Sequence, residues 1–136
     1  MSHQGLVADL IKAWNDHDAK SVAEMHSADF TGVDVGEATP HQGRGGAWER
    51  TKRYLHAFPD LHIEAEETLF QGNQLAILWR VAGTHRGAFM NIPPTGRMIT
   101  FRGVSLLWVK DRQIIRGVYM WDVAGLLREF RLLPDL

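Results

Sequence analysis

Residues 61–86 read LHIEAEETLFQGNQLAILWRVAGTHR, and this stretch decides the fold class. Leu61, Ile63 and Ala65 alternate with His62, Glu64 and Glu66, the period of two that marks a half-buried strand, here running to about Phe70. Gln71-Gly72-Asn73-Gln74 supplies turn residues, so the next run, Leu75 to Arg86, pairs back antiparallel. Downstream the pattern continues. A wide connection, Gly87 to Gly96, contains Pro93-Pro94-Thr95-Gly96. Ile99 to Val109 reads as a third strand, Lys110-Asp111-Arg112-Gln113 as a hairpin turn and Ile114 to Asp122 as a fourth strand. Gly125 to Leu133 closes the chain as a short helix or coil.

Upstream the period changes to that of helices. Leu6, Val7, Leu10, Ile11 and Trp14 fall at the spacing of an amphipathic helix that ends near Asn15. Asp18 is placed to cap a second helix, with Val22, Met25 and His26 on its inner side. Ser27 to Pro40 carries Phe30, Val33 and Val35 in alternation and reads as a short strand or extended loop. Gly43 to Gly46 reads as a flexible turn, and Ala47 to Phe58 as a third helix with Trp48, Tyr54, Leu55 and Phe58 at helical spacing. Helices first and an antiparallel meander afterwards predict an α+β fold, because parallel βαβ units would alternate the two. A single domain over residues 1–136 is expected, with a sheet able to curl around a cavity.

Composition narrows the function classes. The chain has 136 residues, no cysteine, and 15 Lys plus Arg against 16 Asp plus Glu. Disulfide frameworks, thiol catalysis and cysteine-based metal sites are thereby excluded. No basic run could neutralise a row of phosphates, so nucleic acid is not an expected partner. No apolar stretch approaches the ~20 residues of a membrane span, and residues 1–5 lack a signal-peptide pattern. A cytoplasmic setting is the resulting expectation.

Motifs for phosphate cradles, zinc hydrolysis and serine esterase chemistry are absent. None of the seven His is paired at i+3 or i+4 within a helix, so no metal site is expected. Five Trp suit either a core or a pocket for a flat ligand. Among the acids, Asp122 stands out because it follows Val118-Tyr119-Met120-Trp121 and precedes an apolar run. Buried among rings, such a carboxylate would have a raised pKa suited to general acid/base work. Alternatively it caps the terminal segment through the amides of Ala124 or Gly125. Strand parity puts Asp122 on one face with Met120 and Val118, and Tyr119 and Trp121 on the other. His85 is a possible donor to a carbonyl oxygen or a structural imidazole. Arg102 is an anion clamp or an exposed strand residue. Trp14, His17 and His26 belong to the helices that would roof a cavity, and Trp79 and Trp108 are strand rings that could line it.

Several blocks together resemble a known family: Ala13-Trp14-Asn15-Asp16-His17-Asp18, Ala28-Asp29-Phe30, Phe58-Pro59-Asp60-Leu61-His62, Gly83-Thr84-His85-Arg86-Gly87 with Ile92-Pro93-Pro94-Thr95-Gly96, and Trp121-Asp122-Val123-Ala124-Gly125-Leu126-Leu127. In this order they resemble the SnoaL-like polyketide cyclase (ester cyclase) family of the nuclear transport factor 2-like superfamily. The resemblance implies a cone of N-terminal helices over a strongly curved antiparallel sheet that encloses a cavity, and a homodimer formed through the sheets. It also implies general acid/base chemistry without metal or cofactor on a polycyclic or conjugated carbonyl compound, such as intramolecular aldol cyclisation or a related isomerisation. By position in its block, Asp122 would be the base. Asp122 and His85 are then the expected catalytic residues, with Trp14, His26, Trp79, Arg102, Trp108 and Met120 contacting a hydrophobic or aromatic substrate. One departure is visible: Ser105 to Val109 holds no histidine, where the family's cyclases place one before the aspartate. A non-catalytic binding or assembly domain, or an accessory role in polyketide hydroxylation, stands beside the cyclase reading.

Overall fold

A computed structural model describes residues 3–135. The elements in chain order are α1 (His3–Asn15), α2 (Ala19–Glu24), β1 (His26–Asp34), β2 (His41–Gln42), α3 (Gly43–Ala57), β3 (His62–Gln71), β4 (Gln74–Thr84), β5 (Met98–Lys110), β6 (Gln113–Trp121) and α4 (Val123–Glu129). The six strands form one curled sheet in the order β2-β1-β6-β5-β4-β3, with helices packed on its inner face. It is not closed into a barrel, since β2 and β3 remain as edges.

The meander expected from residues 61–122 is present. Gln71 pairs with Gln74 across the first turn, Thr84 with Met98 across the long connection, and Lys110 with Gln113 across the second turn. Along β4 the inward residues Leu75, Ile77, Trp79 and Val81 are buried, while Arg80 is exposed. Register shifts at Ala65/Glu67 and Trp108/Val109 mark bulges that bend the sheet. Trp79 lies opposite Gly103, where a Cβ would collide with the indole ring, so the absence of a side chain lets the ring lie flat across β5.

Helix α1 buries Leu6, Val7 and Leu10 as its periodicity demands. Its end is tied to β3: Asn15 Nδ2 donates to Ile63 O at 2.9 Å and Ile63 N donates to Asn15 Oδ1 at 2.8 Å. Asp18 caps α2 by accepting from Ser21 N at 3.0 Å.

Three local expectations change. First, residues 43–46 form the first turn of α3 rather than a free turn, with Gly43 at φ +64° and Gly46 pressed against the His41 backbone where a Cβ would crowd it. Second, the buried stripe of α3 is Ala47, Thr51, Tyr54 and Ala57, so Trp48 points outward, 40% exposed beside Lys52. Third, the half-buried stripe of β3 stops at Ile63: past the bulge this edge strand is mostly exposed, Leu69 at 71%. The extended segment after Ser27 is a full strand, and it pairs in parallel with β6.

Candidate functional site

The concave face of the sheet and helices α1 to α3 enclose a cavity of about 60 Å³. Its wall is mainly apolar, from Leu10 and Ile11 on α1 to Ile77, Trp79, Phe101 and Leu107 on the strands. Arg50 and Tyr54 on α3, Tyr119 on β6, His26 at the start of β1 and Ser105 on β5 add polar groups. An apolar chamber with few convergent polar groups is the usual form of a small-molecule site.

Arg50 dominates its electrostatics. Its Nε donates to Asp34 Oδ2 at 3.0 Å and its Nη2 to Asp34 Oδ1 at 3.4 Å. The guanidinium lies 3.7 Å from the centroid of the Tyr119 ring and 5.2 Å from that of Tyr54, so two aromatic faces stabilise the cation. Asp34 is 2% exposed. Burial alone would raise its pKa, but the hydrogen bond from His41 and the charge of Arg50 hold it at about 2. His41 Nε2 donates to Asp34 Oδ2 at 3.1 Å and also lies 3.2 Å from Glu37 Oε2. Burial pushes the Tyr54 phenol up to about 12, opposed by Arg50, and burial raises Tyr119 as well. Both phenols therefore stay protonated at neutral pH, available as donors. Trp79 Nε1 donates to Ser105 Oγ at 2.9 Å, which fixes the indole in the wall.

Burial lowers the His26 imidazole to about 4, an effect that nearby Arg50 reinforces. Its Nδ1 lies 2.7 Å from Val22 O and must be the donor, because a carbonyl oxygen only accepts. Of the described residues, Asp34, Glu37 and His41 bring ligand atoms within 4.8 Å of one another, a spacing that could hold a metal ion. Arg50 already engages both oxygens of Asp34, so the cluster reads as an ion-pair network.

The expected site residues divide between the two faces of the sheet. Trp14, His26 and Trp79 line the cavity. Trp14 meets Tyr54 edge-on with centroids 6.0 Å apart. Asp122, Arg102 and Met120 do come together, but in a shallow hollow on the outer face. Asp122 is exposed and accepts from Gly125 N at 2.8 Å, the capping arrangement for α4. Parity explains this placement, because Tyr119 takes the inner face and leaves Met120 and Asp122 outside. Arg102 is exposed and paired with Glu66, its Nε donating at 2.9 Å. Trp108 also faces outward, with the Arg116 guanidinium 4.3 Å from its centroid.

His85 is fully buried but away from the cavity wall. It stacks on Phe130 with centroids 4.5 Å apart, Thr95 N donates to its Nδ1 at 3.2 Å, and its Nε2 has no hydrogen-bond partner among the described residues. Backbone bonds His85 N to Arg97 O and Gly96 N to His85 O, both 2.8 Å, close the long connection around it. Its placement is that of a packing residue.

Asp34, His41, Arg50 and Tyr54 were not expected. The signal for them was an arginine three residues after Ala47 and four before Tyr54, on the stripe that α3 turns inward.

The sequence profile of the SnoaL-like polyketide cyclase family matches residues 5–130. The chain belongs to that family. No curated protein matches it in sequence. Solved structures show the same fold across the SnoaL-like cyclases and beyond. AclR from Streptomyces galilaeus, described as a candidate hydroxylase, is 24% identical with TM-score 0.85, covering 98% of this chain and 87% of its own. A SnoaL-like polyketide cyclase from Agrobacterium tumefaciens is 18% identical with TM-score 0.80, covering 96% and 98%. A protein of ketosteroid isomerase-like fold from Catenulispora acidiphila, solved with trimethylamine, is 17% identical with TM-score 0.80, covering 94% and 93%.

Proposed function

We propose that this SnoaL-like protein is a cofactor-independent enzyme that performs general acid/base chemistry on a conjugated carbonyl compound inside the cavity. Intramolecular aldol closure or a related isomerisation fits such a site. The observation that carries the proposal is Arg50, its side chain only 12% exposed and held by Asp34 and two aromatic rings at the edge of an apolar chamber. Loss of a proton next to a carbonyl places negative charge on its oxygen. A fixed cation and protonated phenols in a site of low dielectric stabilise that charge without reorganisation at the moment of reaction.

The cavity also limits the substrate. Its free volume of about 60 Å³ is below the roughly 150 Å³ of a cavity that binds benzene. A compound of benzene's size or larger, from phenol to a polycyclic ring system, therefore enters only if the half-buried Ile11 and Trp14 of the wall move aside. The same volume supports a second reading, a non-catalytic binding module for a smaller ligand.

Turnover of a panel of enones and β-keto esters, followed by proton NMR, separates the readings. Arg50→Lys keeps the charge but loses the planar fork, and is expected to lower turnover about 100-fold. Asp122→Asn is expected to leave it unchanged. Full activity in Arg50→Lys would overturn the proposal, and binding of panel members without turnover would establish the binding module.

We further propose a homodimer through the outer face of the sheet, supported by the exposed Leu69, Met98 and Met120. Light scattering tests it: Met120→Glu should yield monomers, and an unchanged mass would refute that interface.

A further inference from the structure

We propose that His26 is the proton acceptor of the cavity, taking a proton from a carbon activated by two carbonyl groups while Arg50 holds the oxygen that becomes charged. The inference rests on the reading of the cavity as the active site and adds the residue that acts as its base.

The geometry starts at the end of α2, where Val22 O lies 2.7 Å from Nδ1. That contact commits Nδ1 to donation, so in the neutral ring the lone pair resides on Nε2. The ring and its backbone are both held in place. Phe30 meets it edge-on with centroids 4.5 Å apart, and Arg44 Nε donates to the His26 carbonyl at 2.9 Å. Among the described residues, Nε2 makes no hydrogen bond, yet it is not a sealed orphan like Nε2 of His85. The residue is 4% exposed and forms part of the cavity wall, and with Nδ1 taken by Val22 O, Nε2 is the ring nitrogen left for a ligand in the cavity. An aimed, unpartnered acceptor in an apolar chamber is costly to keep unless a ligand uses it.

The charged and titratable groups that share this wall are Arg50 and Tyr54 from α3 and Tyr119 from β6. All three favour an anion in the chamber and a neutral imidazole beside it. With burial and Arg50 both lowering its pKa, His26 stays unprotonated across the neutral range and acts as a weak base. A weak base removes only an acidic proton, which selects a carbon between two carbonyls, as in a β-keto ester. In the step, the Cα–H bond breaks, the proton moves to Nε2, and the electron pair passes into the enolate whose oxygen faces Arg50. The imidazolium then returns the proton to carbon, or to the alkoxide formed if the enolate attacks a second carbonyl.

Exchange of the single α-proton of ethyl 2-methylacetoacetate in D2O, followed by NMR, reads this step directly. Wild-type protein is expected to accelerate exchange, with the rate falling as pH drops through about 4. His26→Gln is expected to lower the accelerated rate about 100-fold. Phenol, a mimic of the enolate, serves as the binding probe and reports that the variant is folded with its cavity intact. Retained exchange in His26→Gln with a loss in Arg50→Lys would overturn the role of His26 and leave the cavity reading standing. Phenol binding without acceleration by the wild type would overturn proton abstraction and leave a binding site. Neither binding nor exchange would overturn the cavity reading itself.

Discussion

Lowering the pH from 7.0 to 4.5 should weaken the fold in a way that belongs to His26. The folded pKa of about 4 lies below the ordinary 6.5, so between these values the unfolded chain holds a proton that the folded chain rejects. The contribution is complete above pH 6.5 and is lost as pH falls toward 4. The displacement is roughly a 300-fold change in proton affinity, equivalent at ~1.4 kcal/mol per factor of ten to about 3 kcal/mol. Of this, about 2 kcal/mol falls between pH 7.0 and 4.5. Asp34, held at about 2, loses its contribution only below about pH 4, outside this window. His85 is also lowered by burial and adds in the same direction, so the wild-type curve alone is not decisive. His26→Phe isolates the share, because it keeps a ring in the site and removes the titration. Urea unfolding followed by tryptophan fluorescence at the two pH values gives the four free energies. The difference between pH values should be about 2 kcal/mol smaller in His26→Phe than in the wild type. Equal pH differences would mean that His26 is solvated, contradicting its place in the cavity wall.

Two further perturbations test other parts of the structure. Asp122→Ala removes the cap accepted from Gly125 N and should cost about 1 kcal/mol in urea unfolding, while a much larger loss would mean that the carboxylate has buried partners. Gly103→Ala places a methyl group against the Trp79 indole and should destabilise by roughly 1–3 kcal/mol, with a change in tryptophan fluorescence; a neutral effect would show that the ring does not lie across β5.

The meander was legible because alternation and turn residues act locally. Leu75, Ile77, Trp79 and Val81 announce a buried face within one strand, and Asp18 announces its helix three residues away. The parallel pairing of β1 with β6 was not legible, since it joins segments some ninety residues apart and no local signal sets that register. Helix α3 misled because Trp48 is the larger apolar residue, whereas packing turned Ala47, Thr51 and Tyr54 inward.

The site was half legible for a related reason. Parity correctly separated Asp122 from Tyr119, but only the curvature of the sheet determines which side encloses space. The inner side took the tyrosine, so the polar pole of the cavity came from α3, and the acid that supports it came from the end of β1.

Five indole N–H groups make ligand binding in the cavity directly measurable, since Trp14 and Trp79 line the cavity while Trp108 lies on the outer face of the sheet. In a nitrogen-15 NMR titration with phenol, the Trp14 and Trp79 indole signals should move together and saturate, with Trp108 unmoved. Movement of signals beside Asp122 and Arg102, with Trp14 and Trp79 unmoved, would place the binding site on the outer face and refute binding in the cavity.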